Sequence, residues 1–462
     1  MERTEIKQFI QKSQTVKQSV YLQDTAAFQG ISIDTRTLHK GDVYVAIQGE
    51  RFDGHDFIPE AIKKGAAGIV FSDTSVAQNL SYDIFGLRVS DTLDFLMEFA
   101  GWYRSQFNLP VFALTGSTGK TTTKEMLAGI LNRKFQTLKT QKNLNNFIGV
   151  SLTLLELAKS TEMAVIELGT NHPGEIATLT QIVRPTHAAI TNIGSGHIGF
   201  FGTREAIYQE KSALFENLSE GGNIYLNMED PFLSHYTNDI LRIHTYGLSS
   251  SYNFWACYLG MDKRGHIRFT INDGPEITLH IPGKHQLMNG LLAGTVALGL
   301  GISNEEVKAG LESVEAPDKR MEIFDLKGTM VINDAYNSNP ESLKAAIDFT
   351  VDLPIQSGCR KVMVLGDMLE LGDQSETAHR KIGEYLQDKP VDVVFCYGPF
   401  ASIIVDVLDS LEASSIMKES FDSHKQLAEA LKDVLHKGDI LLLKGSRGMA
   451  LEKILEYLDG SN

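Results

Sequence analysis

Short apolar runs recur along this chain, separated by stretches whose apolar residues fall at helical spacing. Runs at 111–114, 164–168, 188–193 and 223–226 have strand length and little internal alternation. Strands apolar on both faces belong to a mostly parallel sheet covered by helices. After them, 253–281 reads as antiparallel strands and 286–300 as a helix. A second series starts near Arg320, with strands at 330–332, 361–365, 391–396 and 439–443 and helices between them, as in a small Rossmann-like unit. Before both, shorter strands at 31–33, 42–47 and 68–71 accompany a helix at 55–64, with turn signals at Gly41-Asp42 and Asp53-Gly54.

The pattern predicts an α/β protein of three domains. These are a small α/β N-terminal domain at 1–84, a central mostly parallel sheet domain at 85–319, and a C-terminal Rossmann-like domain at 320–462. A length of 462 residues accommodates three such units at ~150 residues each. Polar residues cluster at strand ends of the third unit: Asn333-Asp334, Gly366-Asp367 and Lys444-Gly445-Ser446-Arg447. Carboxyl ends of strands are where open α/β sheets bind ligands.

The sharpest local signal follows the run at 111–114. Gly116, Ser117, Thr118, Gly119, Lys120, Thr121 and Thr122 lead into a helix expected at 123–131. Glycines let backbone N–H groups face phosphate oxygens, and the helix N-terminus favours an anion. Lys120 reaches terminal phosphates and the Thr121 hydroxyl suits Mg²⁺. This central unit is therefore expected to be a P-loop ATPase domain. The strict pattern begins with glycine where this chain has Leu114; the glycine stands at Gly116 instead. A turn without a ligand is the plainer reading of such a loop.

Composition narrows the partners. A net charge of −15 argues against nucleic acid and anionic membranes, which attract basic surfaces. No window approaches the ~18 apolar residues of a membrane helix, and the N-terminus lacks a secretory pattern. The three cysteines, Cys257, Cys359 and Cys396, show no metal or disulfide spacing and read as reduced core residues of a cytoplasmic protein.

Three further residues carry potential chemistry. Glu167 ends the run at 164–168 and is placed to coordinate Mg²⁺, although a solvated strand-end glutamate is equally ordinary. His197 follows Gly194-Ser195-Gly196, where a loop hydrogen bond is the commoner role. Lys211 lies in a helical stretch, where lysines usually face solvent. Asp367 and Glu370 fit a turn as well as a site, and His379 reads as a helix-surface residue.

Together, the loop, Glu167, His197 and Lys211 resemble the Mur ligases of peptidoglycan synthesis, which join an amino acid or dipeptide to a UDP-N-acetylmuramoyl peptide using ATP. The resemblance spans the chain. Five segments, beginning at Lys142, Glu167, Asn333, Leu365 and Leu443, are similar to the branch that adds D-alanyl-D-alanine to UDP-N-acetylmuramoyl-tripeptide. The Asp-Asn-Pro-Arg signature of the diaminopimelate-adding branch is absent.

The resemblance implies ATP and two Mg²⁺ ions, a monomer, and a role for each segment. Lys120 would bind the β/γ-phosphates, with Thr121 and Glu167 on one metal. His197 and Lys211 would lie near a second, Lys211 as a carbamate. Asn289 would contact adenine, and Arg320 and Asp334 the phosphates and ribose. Thr35, Arg36, Asp53 and His55 would form the uridine-nucleotide pocket, with Asn143, Asn145 and Asn146 nearer the muramoyl end. Asn337, Lys444, Ser446 and Arg447 would face the dipeptide. Gln286 stands where many members have Asn, and Ala213 where Glu is frequent.

The expected reaction makes an acyl phosphate and then an amide. Two other readings fit parts of the pattern: a ligase of the same superfamily extending folate or another muramoyl peptide, and a nucleotide switch that hydrolyses ATP without a peptide product.

Overall fold

The computed structural model describes residues 4–22, 27–49, 51–316, 320–354, 359–411 and 415–459. Three larger sheets follow one another along the chain. The fold is α/β, and all three sheets are mostly parallel.

The first has five strands, in the order Val16–Val20, Phe85–Val89, Gly68–Phe71, Val43–Val45 and Ile31–Ser32. Its last sequential strand lies beyond the expected break at 84/85. Phe85–Val89 pairs parallel with Gly68–Phe71 and antiparallel with Val16–Val20. The mostly polar Val16–Val20 carries no buried residue, so its apolar signal is weak. The helix expected at 55–64 is split into a 3₁₀ turn, Gly54–Phe57, and an α-helix, Ile58–Lys63. The break expected at 319/320 touches residues 317–319, outside the described ones.

The central sheet has nine strands. Its outer part, Phe254–Met261, Ile267–Ile271 and Ile277–Leu279, is antiparallel as expected. The remainder is parallel, in the order Arg242–Gly247, Asn223–Asn227, His187–Ile190, Val111–Thr115, Met163–Glu167 and Thr137–Lys139. Val111–Thr115 is buried at every position, which explains its unbroken apolar run. It sits between two strands whose ends come level with its own: Glu167 pairs with Leu114, and Ile190 with Thr115. The loop that follows thus emerges between the Glu167 end and the Thr191-Asn192 end.

The third sheet runs Glu322–Leu326, Thr329–Asp334, Ile440–Lys444, Lys361–Gly366, Val393–Tyr397 and Met417–Phe421. Its register sets Asp334 beside Lys444 and Lys444 beside Leu365. One continuous apolar cluster links the three sheets, from Phe9 and Val43 through Val111 and Ile166 to Ile332 and Leu442. Separate clusters fill the opposite face of each sheet. Among the described residues no helix is long and apolar enough to cross a membrane. The cysteines are free. Cys396 is buried, Cys359 is half-buried, and Cys257, expected in a core, is exposed within a stretch, Cys257 to Leu259, that is exposed throughout.

Candidate active site

The carboxyl ends of the second and third sheets line one cleft of about 950 Å³. On the central side the helix Lys120–Leu131 starts three residues earlier than the sequence suggested. Gly116 (φ 148°) and Gly119 (φ 81°) turn the chain into it. A Cβ at Gly119 would lie 2.3 Å from Asn289 Oδ1, and one at Gly116 only 1.8 Å from Thr191 Oγ1. Glycine is therefore required at both for conformation and for space. Asn192 braces the loop: its carbonyl accepts from Ser117 N (3.0 Å) and its Oδ1 from Thr118 N (3.1 Å). Thr191 Oγ1 donates to Thr118 O (2.5 Å). The helix N-terminus itself carries no side-chain cap. Its first N–H groups are the donors a phosphate uses. Lys120 Nζ donates to Gly116 O at 2.6 Å, so its ammonium lies at the same loop.

Glu167 is buried rather than solvated. Its Oε1 accepts from Thr121 Oγ1 (3.1 Å) and Asn145 Nδ2 (2.9 Å), and its backbone N–H donates to Thr140 Oγ1 (3.0 Å). Among the described residues Oε2 has no hydrogen-bond partner, and Lys124 Nζ lies 3.6 Å from it. A buried carboxylate oxygen without a donor, next to a threonine hydroxyl, fits a hard cation such as Mg²⁺. Among the described residues no group of three or more His, Cys, Asp or Glu side chains is arranged to hold a metal. This is compatible with Mg²⁺, which takes one or two carboxylates and completes its shell with substrate phosphate and water.

His197 lines the same cleft; Lys211 does not, although its charge reaches both His197 and Lys120. His197 adopts φ 65° at the start of the short helix Ile198–Phe201. Burial, then the charges of Lys120 and Lys211, push its pKa down to about 3, so the imidazole is neutral. Glu370 Oε2 lies 3.0 Å from its Nδ1 without hydrogen-bond geometry. Lys211, a solvated helix lysine by its sequence context, is 1% exposed. Burial, with Lys120 adding repulsion, lowers its pKa to about 7, against a smaller pull from Glu210. Enclosure also lowers the Lys120 pKa, opposed by Glu167 and Glu370, with Arg320 adding repulsion.

On the opposite side, Lys444 Nζ bonds Asp334 Oδ2 (2.7 Å) and Asn337 O (2.6 Å). Asp334 Oδ1 accepts from Met321 N at 3.2 Å. Arg320 and Arg447 both lie over the Tyr336 ring, at 4.2 and 5.5 Å from its centroid. Ser446 Oγ accepts from Leu369 N (3.0 Å), holding the segment that carries Glu370. Burial raises the Glu370 pKa, opposed by Lys120 and Asn337. Asp367 shapes a turn: its Oδ1 accepts from the Phe400 and Ala401 N–H groups. His379 is not on the surface. It is fully buried, with Nε2 accepting from Met368 N and Nδ1 donating to Ser375 O. Its helix, Ser375–Gln387, turns that face toward the strand end.

The two sides touch directly. Glu341 accepts from Ser195 N (3.2 Å) and Oγ (2.7 Å), and Gln374 Nε2 donates to Gly202 O (2.9 Å). Gly199 backs onto Gly372 so closely that a Cβ there would lie 2.6 Å from Gly372 N.

Asn143, Asn145 and Asn146 line the cleft; Thr35, Arg36, Asp53 and His55 do not, and lie in turns beside the strands of the first sheet. There Arg36 pairs with Asp34 (2.6 Å), and His55 uses both ring nitrogens, toward Asp53 Oδ1 (2.6 Å) and Ser72 N (3.0 Å). Asn289 donates to Gln286 Oε1 (2.7 Å) and accepts from Thr123 Oγ1 (3.3 Å). Sequence reasoning missed Lys124, Asn192 and Glu210. Lys124 is one helical turn beyond Lys120, the only signal it offered; its burial depends on Glu125, Glu167 and Lys142 gathering around it.

Comparison with known proteins places these features in a wider set. Family models match three successive stretches: "Mur ligase family, catalytic domain" at 27–103, "Mur ligase middle domain" at 114–297, and "Mur ligase, glutamate ligase domain" at 319–447. The chain is 36% identical over 439 residues to the UDP-N-acetylmuramoyl-tripeptide–D-alanyl-D-alanine ligase of Bacillus subtilis strain 168, with 94% of each chain covered. Its counterpart from Escherichia coli K12 is 34% identical over 437 residues, with 93% of each covered. A crystal structure of MurF from Acinetobacter baumannii superposes with TM-score 0.88 at 31% identity, covering 100% of this chain and 99% of that one. MurF ligase from Thermotoga maritima, solved in complex with ADP, gives 0.81 at 29% identity, with coverage of 94% and 97%.

Proposed function

The chain belongs to the Mur ligase family, and on that premise we propose that it is an ATP-dependent amide ligase that joins D-alanyl-D-alanine to UDP-N-acetylmuramoyl-tripeptide in the cytoplasm. Full-length similarity to relatives of that name supports the choice of substrates. The observation that carries the chemistry is the uncapped helix N-terminus at Gly119, with Lys120 on one side and the buried Glu167 on the other.

A carboxylate is a poor electrophile. Transfer of the γ-phosphoryl group from ATP forms a bond from carboxylate oxygen to phosphorus, breaks the bridging P–O bond and releases ADP. The dipeptide nitrogen then attacks the acyl carbon, and the tetrahedral intermediate expels phosphate and loses a proton from nitrogen. The protein's part is positioning and charge stabilisation. The loop from Gly116 to Thr122 and the Lys120 ammonium bind the β/γ-phosphates. Asn289 takes the adenine side, and Arg320 and Asp334 take the phosphates and ribose. Thr121 and Glu167 would hold one Mg²⁺, and His197 with a carbamylated Lys211 a second; bound there, the metals neutralise phosphate charge. Asn145 ties Glu167 to the segment carrying Asn143 and Asn146, at the muramoyl end. Thr35, Arg36, Asp53 and His55 take the uridine nucleotide. Asn337, Lys444, Ser446 and Arg447 shape the dipeptide side.

A carbamate needs a neutral amine, and a Lys211 pKa of about 7 supplies one at neutral pH. Lys211→Ala is expected to lose ~100-fold in ligation and to regain part of it with small carboxylic acids. Full activity without them excludes the carbamate.

The deciding assay couples ADP release to substrate, omitting tripeptide nucleotide and dipeptide in turn. Release that requires both, with the amide product formed, is expected. Release independent of the dipeptide, or supported equally by a folate or another muramoyl acceptor, overturns the assignment.

A further inference from the structure

Six carboxylates line the cleft among the described residues, and five are already engaged. Glu167 accepts from Thr121 and Asn145. Glu175 accepts from the backbone of Asn171 and His172, and Asp230 from that of Ile193, Phe232 and Leu233. Asp334 pairs with Lys444, and Glu341 with Ser195. Glu370 differs. Its side chain is 38% exposed, it shares a side-chain hydrogen bond with Asn337, and it meets His197 Nδ1 at 3.0 Å outside hydrogen-bond geometry.

Its position is as informative as its partial exposure. The segment carrying it is pinned by Leu369 N to Ser446 Oγ, beside Arg447. Its carboxylate points across the cleft toward His197 and feels the charge of Lys120. It therefore stands between the phosphate loop and the Asn337–Arg447 side, in a cleft that Lys120, Arg320 and Arg447 also line. An incoming zwitterion presents an ammonium at one end and a carboxylate at the other. The ammonium belongs at the reaction centre, because its nitrogen makes the new bond.

Resting on the ligase reading above, we propose that Glu370 is a specificity-determining residue that receives the ammonium of the incoming dipeptide and orients its nitrogen toward the acyl carbon. Glu370 binds and orients; it forms and breaks no covalent bond. The Arg447 guanidinium is left to meet the opposite, anionic end.

The test compares D-alanyl-D-alanine with N-propionyl-D-alanine, the same molecule with hydrogen in place of the ammonium. Binding is measured by calorimetry on the full chain loaded with tripeptide nucleotide and a non-hydrolysable ATP analogue. The unaltered protein is expected to prefer the dipeptide by ~10- to 100-fold, the range of a hydrogen bond to a charged group. In Glu370→Gln the preference should fall to about twofold, with N-propionyl-D-alanine bound as before. In turnover, the dipeptide KM should rise while the KM values for ATP and the tripeptide nucleotide stay put. A Glu370→Gln protein that keeps the full preference, or weakens both ligands alike, overturns the inference alone. If the unaltered protein binds neither ligand, the dipeptide-ligase reading falls with it. Thermal melting and ATP-analogue binding of the variant report whether its fold is intact.

Discussion

Two helices of the central sheet begin alike and end up with opposite roles. Lys120–Leu131 follows the strand Val111–Thr115, and Glu175–Val183 follows its neighbour, Met163–Glu167. Each is entered through a left-handed glycine, Gly119 at φ 81° and Gly174 at φ 89°, and neither receives a cap from that residue. At the second helix a carboxylate from another helix closes the end: Glu210 accepts from Gly174 N (2.6 Å) and Ile176 N (2.8 Å), and from Thr170 Oγ1 (3.0 Å). At the first no carboxylate among the described residues caps the N–H groups, and a lysine lies beside them. An N-terminal helix end favours an anion in both places. Whether that anion is a side chain or a substrate is decided by what the neighbouring elements supply.

Substitutions at the two ends should therefore behave differently. Lys120→Ala is expected to cut ligation by about 10³-fold with melting unchanged; near-normal product formation by the folded variant removes the phosphate-loop assignment. Gly119→Ala forces a side chain into left-handed backbone and against Asn289, and should weaken ATP binding by about 10-fold or more while costing ~1–3 kcal/mol of stability. Wild-type affinity in that variant would mean the loop is not held as tightly as the contacts require. At the closed end, Glu210→Gln should instead lower stability by ~1–2 kcal/mol in urea denaturation, with ATP affinity retained. If ATP affinity drops as it does for Lys120→Ala, the two ends are not distinct in function.

The smallest effect concerns pH. His197 has a folded pKa of about 3 against an ordinary 6.5, so between those values the unfolded chain binds the proton and the folded one does not. Stability is thus lost as pH falls from about 6.5 toward 3, by at most about 1.4 kcal/mol per pH unit from this group. Between pH 6.5 and 5, His197→Gln should show a shallower decline than the parent. Identical slopes would mean that His197 is not kept neutral by its surroundings.

Most of the strands were legible because they are buried on both faces and lack polar interruption. Gly68–Phe71 matched its expected range, and the runs behind Val111–Thr115 and Lys361–Gly366 were displaced by no more than a residue. Val16–Val20 and Phe85–Val89 escaped, the first because an edge strand with no buried residue leaves little apolar pattern. The turn from Gly116 into the helix at Lys120 was legible too, because a glycine-to-helix turn is a local arrangement of adjacent residues. His379 and Lys211 were misjudged when read alone, since a helix position gives no hint of which element will cover it.

The amino-acid order by itself determined the α/β alternation, the loop at Gly116 to Thr122 and the polar strand ends, all of which depend on backbone conformation and on periodicity within a few residues. Only the tertiary structure decided that Glu210 closes one helix end while the other stays uncapped, that Lys124 and Lys211 lie buried, and that Glu370 faces His197 across the cleft. The reason is physical. Solvation and charge at a side chain depend on atoms brought near by packing, and those atoms come from parts of the chain that periodicity does not connect.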